Sequence, residues 1–365
     1  MPAKQTSGAK RANRQRVYRA TSYDVARRAG VSQATVSRCF MPDSRVSPIV
    51  RRRIEEVANE LGYRPNAIAR SLITRRSNLV AIVISNLTNL YYPEVLSELS
   101  QGFSERGVRV LLFTLPRETE IDLVLEQVWQ YRVDGLVAAA RLSPEQASEF
   151  ERHCVPLVFF NRRLRAPNVS SVVCNQLQGV RALVGGLFAA GHRRFAVISG
   201  PRDSLVGQER LRGILLCLRK QGAASPVVVD GDFGYDGGVR AMHEIMKLSR
   251  KPPDAIICTS DITAVGCIDA ARYDFSIKVS EELSVASFDG VDPAHWRAYR
   301  LTTFRQPMHE MADAAVSILM DRIEDPSLPP VTRVFSGTIE SGQSARIALT
   351  PIAATHTAPT HSAST

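Results

Sequence analysis

Residues 21–40 read TSYDVARRAGVSQATVSRCF. The stretch predicts two short helices around a tight turn. Thr21 and Ser22 are capping residues, and Asp24 follows Thr21 by three, as in a capping box. Val25, Ala26 and Ala29 give the first helix an apolar stripe. Gly30 stands where a helix stop needs positive φ. Val31 can turn inward and Ser32 can cap a second helix. There Val36 faces the core, while Gln33, Thr35, Ser37 and Arg38 stay polar on one side. Two helices, a glycine turn and a polar second helix make a helix-turn-helix, a motif whose second helix enters the DNA major groove.

Charge supports that reading. The 365 residues carry a net charge of +10 and are 44% hydrophobic, which suits a globular chain of two or three domains. Residues 1–78 hold 17 Lys+Arg and 5 Asp+Glu, which leaves 29 basic and 31 acidic residues for the rest. The whole basic excess therefore lies in the first fifth, as for a polyanion-binding head on a near-neutral body. Residues 1–18, polar and basic, are expected to be a disordered arm. Neither a signal peptide nor a membrane-spanning run is expected, and the location is expected to be cytoplasmic. Cys39, Cys154, Cys174, Cys217, Cys258 and Cys267 form no CxxC pair. Most are expected to be buried thiols, with no disulfide framework, no metal site and no cofactor.

After the motif, Ser47-Pro48 reads as an N-cap with proline at the first helical position. Ile49, Ile54, Val57, Ala58 and Leu61 are expected to form the apolar face of a third helix that Gly62 stops. Arg51, Arg52 and Arg53 either touch phosphates or form a solvated basic face. Arg45, just ahead, can reach a phosphate or a base edge. Asn66 can cap a short helix to about Leu72, too short to be stable without a partner.

The residues Tyr23-Asp24-Val25-Ala26, Ala29-Gly30-Val31-Ser32 and Thr35-Val36-Ser37-Arg38 form a long ungapped pattern that closely resembles the N-terminus of the LacI/GalR family of bacterial repressors. The resemblance implies that Gln33 and Ala34 occupy the main base-reading positions. Gln can pair with adenine, Ala can contact a thymine methyl, and Arg38 can pair with guanine. Thr35 and Ser37 suit phosphate contacts, and Thr21, Ser32 and Ser47 join the DNA-facing set. Met41 departs from the asparagine common in the family. The resemblance also makes residues 64–77 a hinge, in which paired helices enter the minor groove. Leu72 would be the apolar wedge, Ala69 the small residue of close approach and Asn66 a backbone contact. Residues 19–63 would then be the DNA-binding headpiece of a dimer reading two half-sites.

From Leu79 the chain alternates strands and helices, which implies parallel sheets with helices on both faces. Leu79–Ser85, a continuous apolar run, fits a strand buried on both sides. Two such series predict two doubly wound lobes over residues 78–347, with a ligand in the crevice at the strands' carboxyl ends. Gly191-His192-Arg193-Arg194, Ser199-Gly200-Pro201, Thr259-Ser260-Asp261 and Ser287-Phe288-Asp289 extend the resemblance. It implies the periplasmic-binding-protein-like type I fold, α/β, with crossovers near Val173, Arg305 and Ser336. Arg300 stands where the family often has proline.

Candidate ligand contacts lie at strand ends: Asn89, Tyr91, Tyr92, Asn161, Arg162, Arg210, Phe233, Asp261, Asp289 and Gln306. Aromatic platforms with carboxylates suit a sugar, and the arginines would suit an acidic ligand. Each residue also has a plain alternative as a surface or capping group. The helix Met308–Ile323 has an apolar stripe at Met311, Ala315, Ile318 and Leu319. Residues 348–365 are a polar tail without leucine heptads, so a homodimer is expected. The leading expectation is a nucleoid-associated transcriptional regulator, a repressor of palindromic operators switched by a small, sugar-like molecule. The alternative is a transport-type sugar-binding protein, which the basic head argues against. An enzyme is not expected: Asp232-Phe233-Gly234 imitates a kinase motif, but no phosphate loop, GxSxG or HExxH accompanies it.

Overall fold

The structure, a computed structural model, describes residues 20–41, 45–65, 76–85, 87, 89–115, 120–164 and 169–348. The basic arm, the hinge residues Asn66, Ala69 and Leu72, and nearly all of the tail lie outside the described residues. The chain divides into two compact units, Met1–Ser77 and Asn78–Thr365.

Among the described residues the first unit holds three helices, α1 (Ser22–Ala29), α2 (Gln33–Cys39) and α3 (Pro48–Glu60). The capping box forms as the spacing predicts: Thr21 accepts from the Asp24 amide and the Asp24 carboxylate accepts from the Thr21 amide. Gly30 sits at φ 64°, the left-handed stop. Ser32 caps α2 by accepting from the Thr35 amide. Val25, Ala29, Val36 and Ile54 are fully buried and close a small core with Ala26, Cys39 and Ala58. At roughly 1.5–3 kcal/mol per fully buried large aliphatic side chain, these few residues hold the unit together. One expectation fails. Ile49 is 82% exposed, and Val50 packs inward instead. Val50, Ile54, Val57, Ala58 and Leu61 keep helical phase, whereas Ile49 lies one residue, about 100°, out of it.

Among the described residues the second unit holds two six-stranded sheets. In the first lobe β1 (Leu79–Ser85), α4 (Tyr91–Glu105), β2 (Arg109–Leu115), α5 (Ile121–Gln130), β3 (Gly135–Ala139), α6 (Pro144–Arg152), β4 (Leu157–Phe160) and β5 (Ser170–Cys174) follow one another. In the second come α7 (Gln176–Ala189), β6 (Phe195–Ser199), α8 (Leu205–Lys220), β7 (Val227–Asp230), α9 (Tyr235–Leu248), β8 (Ala255–Cys258), α10 (Asp261–Asp269), β9 (Ser284–Asp289), α11 (Asp292–His295) and β10 (Thr302–Arg305). Then α12 (Met308–Glu324) leads to β11 (Thr332–Phe335) and β12 (Thr338–Glu340).

The sheet orders are β11-β5-β4-β3-β1-β2 and β12-β10-β9-β8-β6-β7. All pairings are parallel except β10 with β12. The strand order reverses at β1 and at β6, the switch points beside which doubly wound sheets form their crevices. Along β1, Val80, Ile82 and Ile84 enter one apolar cluster while Ala81 and Val83 enter another, so both faces are covered. The chain passes between lobes three times, after β5, after β10 and after β11, at the positions the resemblance implied. One apolar cluster runs through both lobes, from Val80 and Phe160 to Phe288, Phe304 and Met311. The α12 stripe of Met311, Ala315, Ile318 and Leu319 is buried as expected. Four cysteines are buried and Cys154 is exposed, all of them free.

Candidate functional site

In the first unit α2 presents Ala34 and Arg38 to solvent, with Gln33, Thr35 and Ser37 half-buried beside them. Their orientations are set by local bonds. The Gln33 amide donates to Ser22 Oγ at 3.2 Å, which ties the start of α2 to the start of α1. Arg38 Nε donates to the Ala34 carbonyl at 3.3 Å, so its guanidinium lies along the helix. Ser32, Thr21, Arg45 and Ser47 are exposed. Tyr23 is 67% exposed at the first turn of α1, outside the apolar stripe.

Arg51 departs from its expected role. Its Nη1 donates to the Cys39 carbonyl at 3.1 Å, so it caps the end of α2 from α3. Arg53 lies over Gly30, and Arg52 pairs with Glu56 one turn on.

In the second unit all ten candidate ligand residues are buried. Five of them meet at the carboxyl ends of the strands in one polar network. Arg210, on α8 and 1% exposed, donates to Gln176 Oε1 at 2.8 Å, to the Thr259 carbonyl at 2.7 Å and to Asp289 Oδ1 at 2.8 Å. Gln306 Nε2 donates to the same Asp289 oxygen at 3.0 Å. Gln306 Oε1 accepts from Asn161 Nδ2 at 2.9 Å and Gln176 Nε2 at 3.1 Å. Asn89 Nδ2 reaches Asp289 Oδ2 at 3.5 Å. Asn89 and Asn161 belong to the first lobe and Asp289 and Gln306 to the ends of second-lobe strands, so these bonds bridge the lobes. Burial pushes the Asp289 carboxyl up, and the Arg210 guanidinium and the amide donors pull it back.

Gln176 and the Thr259 carbonyl are network members that sequence reasoning missed. A glutamine opening a helix directly after an interlobe crossing was the available signal. Tyr91 is fully inside, edge-on to Tyr92 with ring centroids 5.5 Å apart, and its hydroxyl has no hydrogen-bond partner among the described residues. Burial, reinforced by Cys174 and Asp289, holds its phenol well above the usual range, so it stays protonated and able to donate. Arg162 donates to the Asn161 carbonyl.

Two candidates are committed elsewhere. Asp261 accepts from Ser287 and Thr303 hydroxyls through Oδ1 and from the Gly290 and Val291 amides through Oδ2, all within 2.9 Å. Its four acceptor positions are filled, and it braces the turn that follows β9. Phe233 offers no open platform. It is 4% exposed, with its ring so close to Gly200 that a Cβ there would sit 2.2 Å from ring carbons.

Burial, then the charge of Asp289, pushes the Asp261 carboxyl up to about 7. An acid whose folded pKa lies above its unfolded value favours the folded state most at low pH, and loses that contribution as pH rises through the folded value. The unfolding free energy, measured against Asp261→Asn, is therefore expected to fall between about pH 4 and 7. A flat difference in denaturant titrations would reject this.

Comparison with known proteins places this geometry. Residues 21–66 match the model of bacterial regulatory proteins of the lacI family, and residues 184–345 that of a periplasmic binding protein-like domain. The ribose operon repressor of Escherichia coli K12 is 31% identical over 338 residues, 91% of this chain and 98% of that one. The complex of the transcriptional regulator CelR with cellobiose superposes with a TM-score of 0.66 at 29% identity, covering 90% of this chain and all of CelR. The lac repressor dimer bound to operator and an anti-inducer superposes at 0.80 with 24% identity, covering 90% and 99%, and shares the fold. Among the described residues no helix is long and apolar enough to cross a membrane.

Proposed function

Because the chain belongs to the LacI family of bacterial regulatory proteins, a family of DNA-binding transcription regulators, we propose that it represses transcription by binding a palindromic operator as a homodimer. A small molecule in the crevice between the lobes switches it, and it works on the nucleoid in the bacterial cytoplasm. The observation that carries the reading is the capped α1–α2 pair, closed on its own core and presenting Ala34 and Arg38 outward. Two copies are needed because a two-fold protein reads two half-sites.

The buried network supports a neutral, polyhydroxylated effector. The Arg210 charge is consumed by Asp289, so the crevice floor offers amides, one carboxylate and the Tyr91 hydroxyl, groups that pair with sugar hydroxyls. The ligand of CelR, cellobiose, is of that class. Because every contact is buried, entry requires the lobes to part. A ligand that binds one lobe arrangement better shifts the population towards it, and thereby changes the affinity for DNA.

The test is selection of sheared genomic DNA on the purified protein at near-physiological salt, followed by sequencing. A short palindrome is expected. Binding without sequence enrichment, abolished by moderate salt, would reject sequence-specific regulation. Arg38→Ala is expected to relax preference at one position of each half-site, by about 1–3 kcal/mol. Arg51→Ala, which removes the brace between α3 and the end of α2, is expected to weaken all sequences alike. An unchanged preference profile for Arg38→Ala would remove that residue from base reading.

A further inference from the structure

Three arginines converge away from the buried network. Arg141 follows β3, Arg202 follows β6 and Arg212 lies on α8, and together they line a cavity of about 530 Å³. Arg141 comes from the first lobe and the other two from the second, so the cavity lies across the junction. Leu177, at the start of α7, supplies part of its wall. Arg212 follows Arg210 by two positions and so lies on the other side of α8 from the crevice floor.

Asp203 and Glu209 also line the cavity, yet among the described residues none of the three guanidiniums is paired with a carboxylate. Elsewhere in the unit, exposed arginines near carboxylates do pair, as Arg240 with Asp232 and Arg305 with Glu340, both at 2.8 Å. Three guanidiniums outnumber two carboxylates here, and the positive end of the sixteen-residue helix α8 opens on the same space through Leu205. Like charges gathered without partners make a local positive potential that an anion relieves.

The number of donors selects the anion. A carboxylate is satisfied by one bidentate guanidinium. A phosphate carries close to two negative charges at neutral pH on several strong acceptor oxygens, and can engage three. We propose that this cavity is a second ligand site, separate from the buried network, that takes a dianionic phosphate, free or as the monoester of a sugar. Because its arginines come from both lobes, the bound phosphate holds them together. Its influence on operator affinity rests on the regulatory reading above, whereas its binding does not.

The experiment is titration calorimetry on the full chain at 0.15 M ionic strength, with inorganic phosphate, glucose 6-phosphate, ribose 5-phosphate and the two neutral sugars as probes. Wild type is expected to bind a phosphate-bearing probe at least tenfold tighter than its neutral counterpart, at one site per chain. Arg202→Gln/Arg212→Gln is expected to lose at least tenfold of that affinity. Arg219→Gln, which removes one positive charge further along α8 and outside the cavity, should lose less than twofold. Thermal melts of each variant confirm that it folds. A sugar phosphate binding tighter than inorganic phosphate identifies the monoester as the ligand, and equal affinities identify free phosphate. No phosphate binding, or binding that the double variant leaves intact, overturns the proposal. Neither result depends on operator selection, so failure here and failure of the regulatory reading are separately visible.

Discussion

Asp289→Ala is expected to destabilise the two-lobed unit by about 3–5 kcal/mol, because it strands a buried guanidinium. Arg210 is 1% exposed and keeps its bonds to Gln176 and the Thr259 carbonyl in the variant, but loses the only carboxylate paired with it among the described residues. Neutral acceptors satisfy donors without neutralising the charge. Gln306 and Asn89 would each lose an acceptor as well, and the Asn89 bond is one of those that join the lobes. Replacing both members, as Arg210→Met with Asp289→Leu, removes the stranded charge. It is expected to recover most of the loss, since a buried ion pair is worth little more than an apolar pair of similar volume. Guanidinium denaturation of wild type, single and double variants measures this. A single variant within 1 kcal/mol of wild type would mean that water reaches Arg210 and that the network is not a dry one.

The second large effect lies between α9 and α10. These helices touch through glycines: a Cβ on Gly266 would sit 2.0 Å from the Tyr235 carbonyl oxygen, and one on Gly238 would sit 2.1 Å from that of Thr263. Both obstacles are backbone, which cannot swing aside as a side chain does. Gly266→Ala is therefore expected to force the helices apart and cost about 3 kcal/mol or more, at the upper end for overpacking. Gly185→Ala is the contrasting case. It lies within α7 with nothing within 4 Å of its added Cβ, so the gain in helix propensity should stabilise by about 0.5–1 kcal/mol. Equal losses for the two variants would remove close helix approach as the explanation.

Legibility followed the range of the interactions. The capping box, the Gly30 stop and the buried run of β1 are local, and their residues carry the signal themselves. β5, β10, β11 and β12 carry little strand signal of their own, because short segments such as Thr302–Arg305 have no pattern longer than four residues and owe their pairing to distant partners. The phase error that put Ile49 in the core arose at a helix start, where periodicity has only one side to fix it. At the crevice, polar residues at strand ends were recognisable, but not their partners. Nothing near Asp261 in the sequence announces Thr303, 42 residues on, and nothing beside Phe233 announces Gly200. Gln176 was missed because its role depends on a crossing that brings it against Arg210.

The threading of the chain through both lobes also governs how the protein can be made. β11, residues 332–335, is a parallel partner of β5, residues 171–174, so the first sheet lacks its outer strand until residue 335 has left the ribosome. At about 5–20 residues per second, the intervening stretch takes on the order of ten seconds or more to synthesise. Throughout that interval β5 presents an unpaired edge on a sheet whose strands are otherwise in place, the condition that invites adhesion between nascent chains. The small helical unit closes on its own core and can fold while the two-lobed unit is still being made.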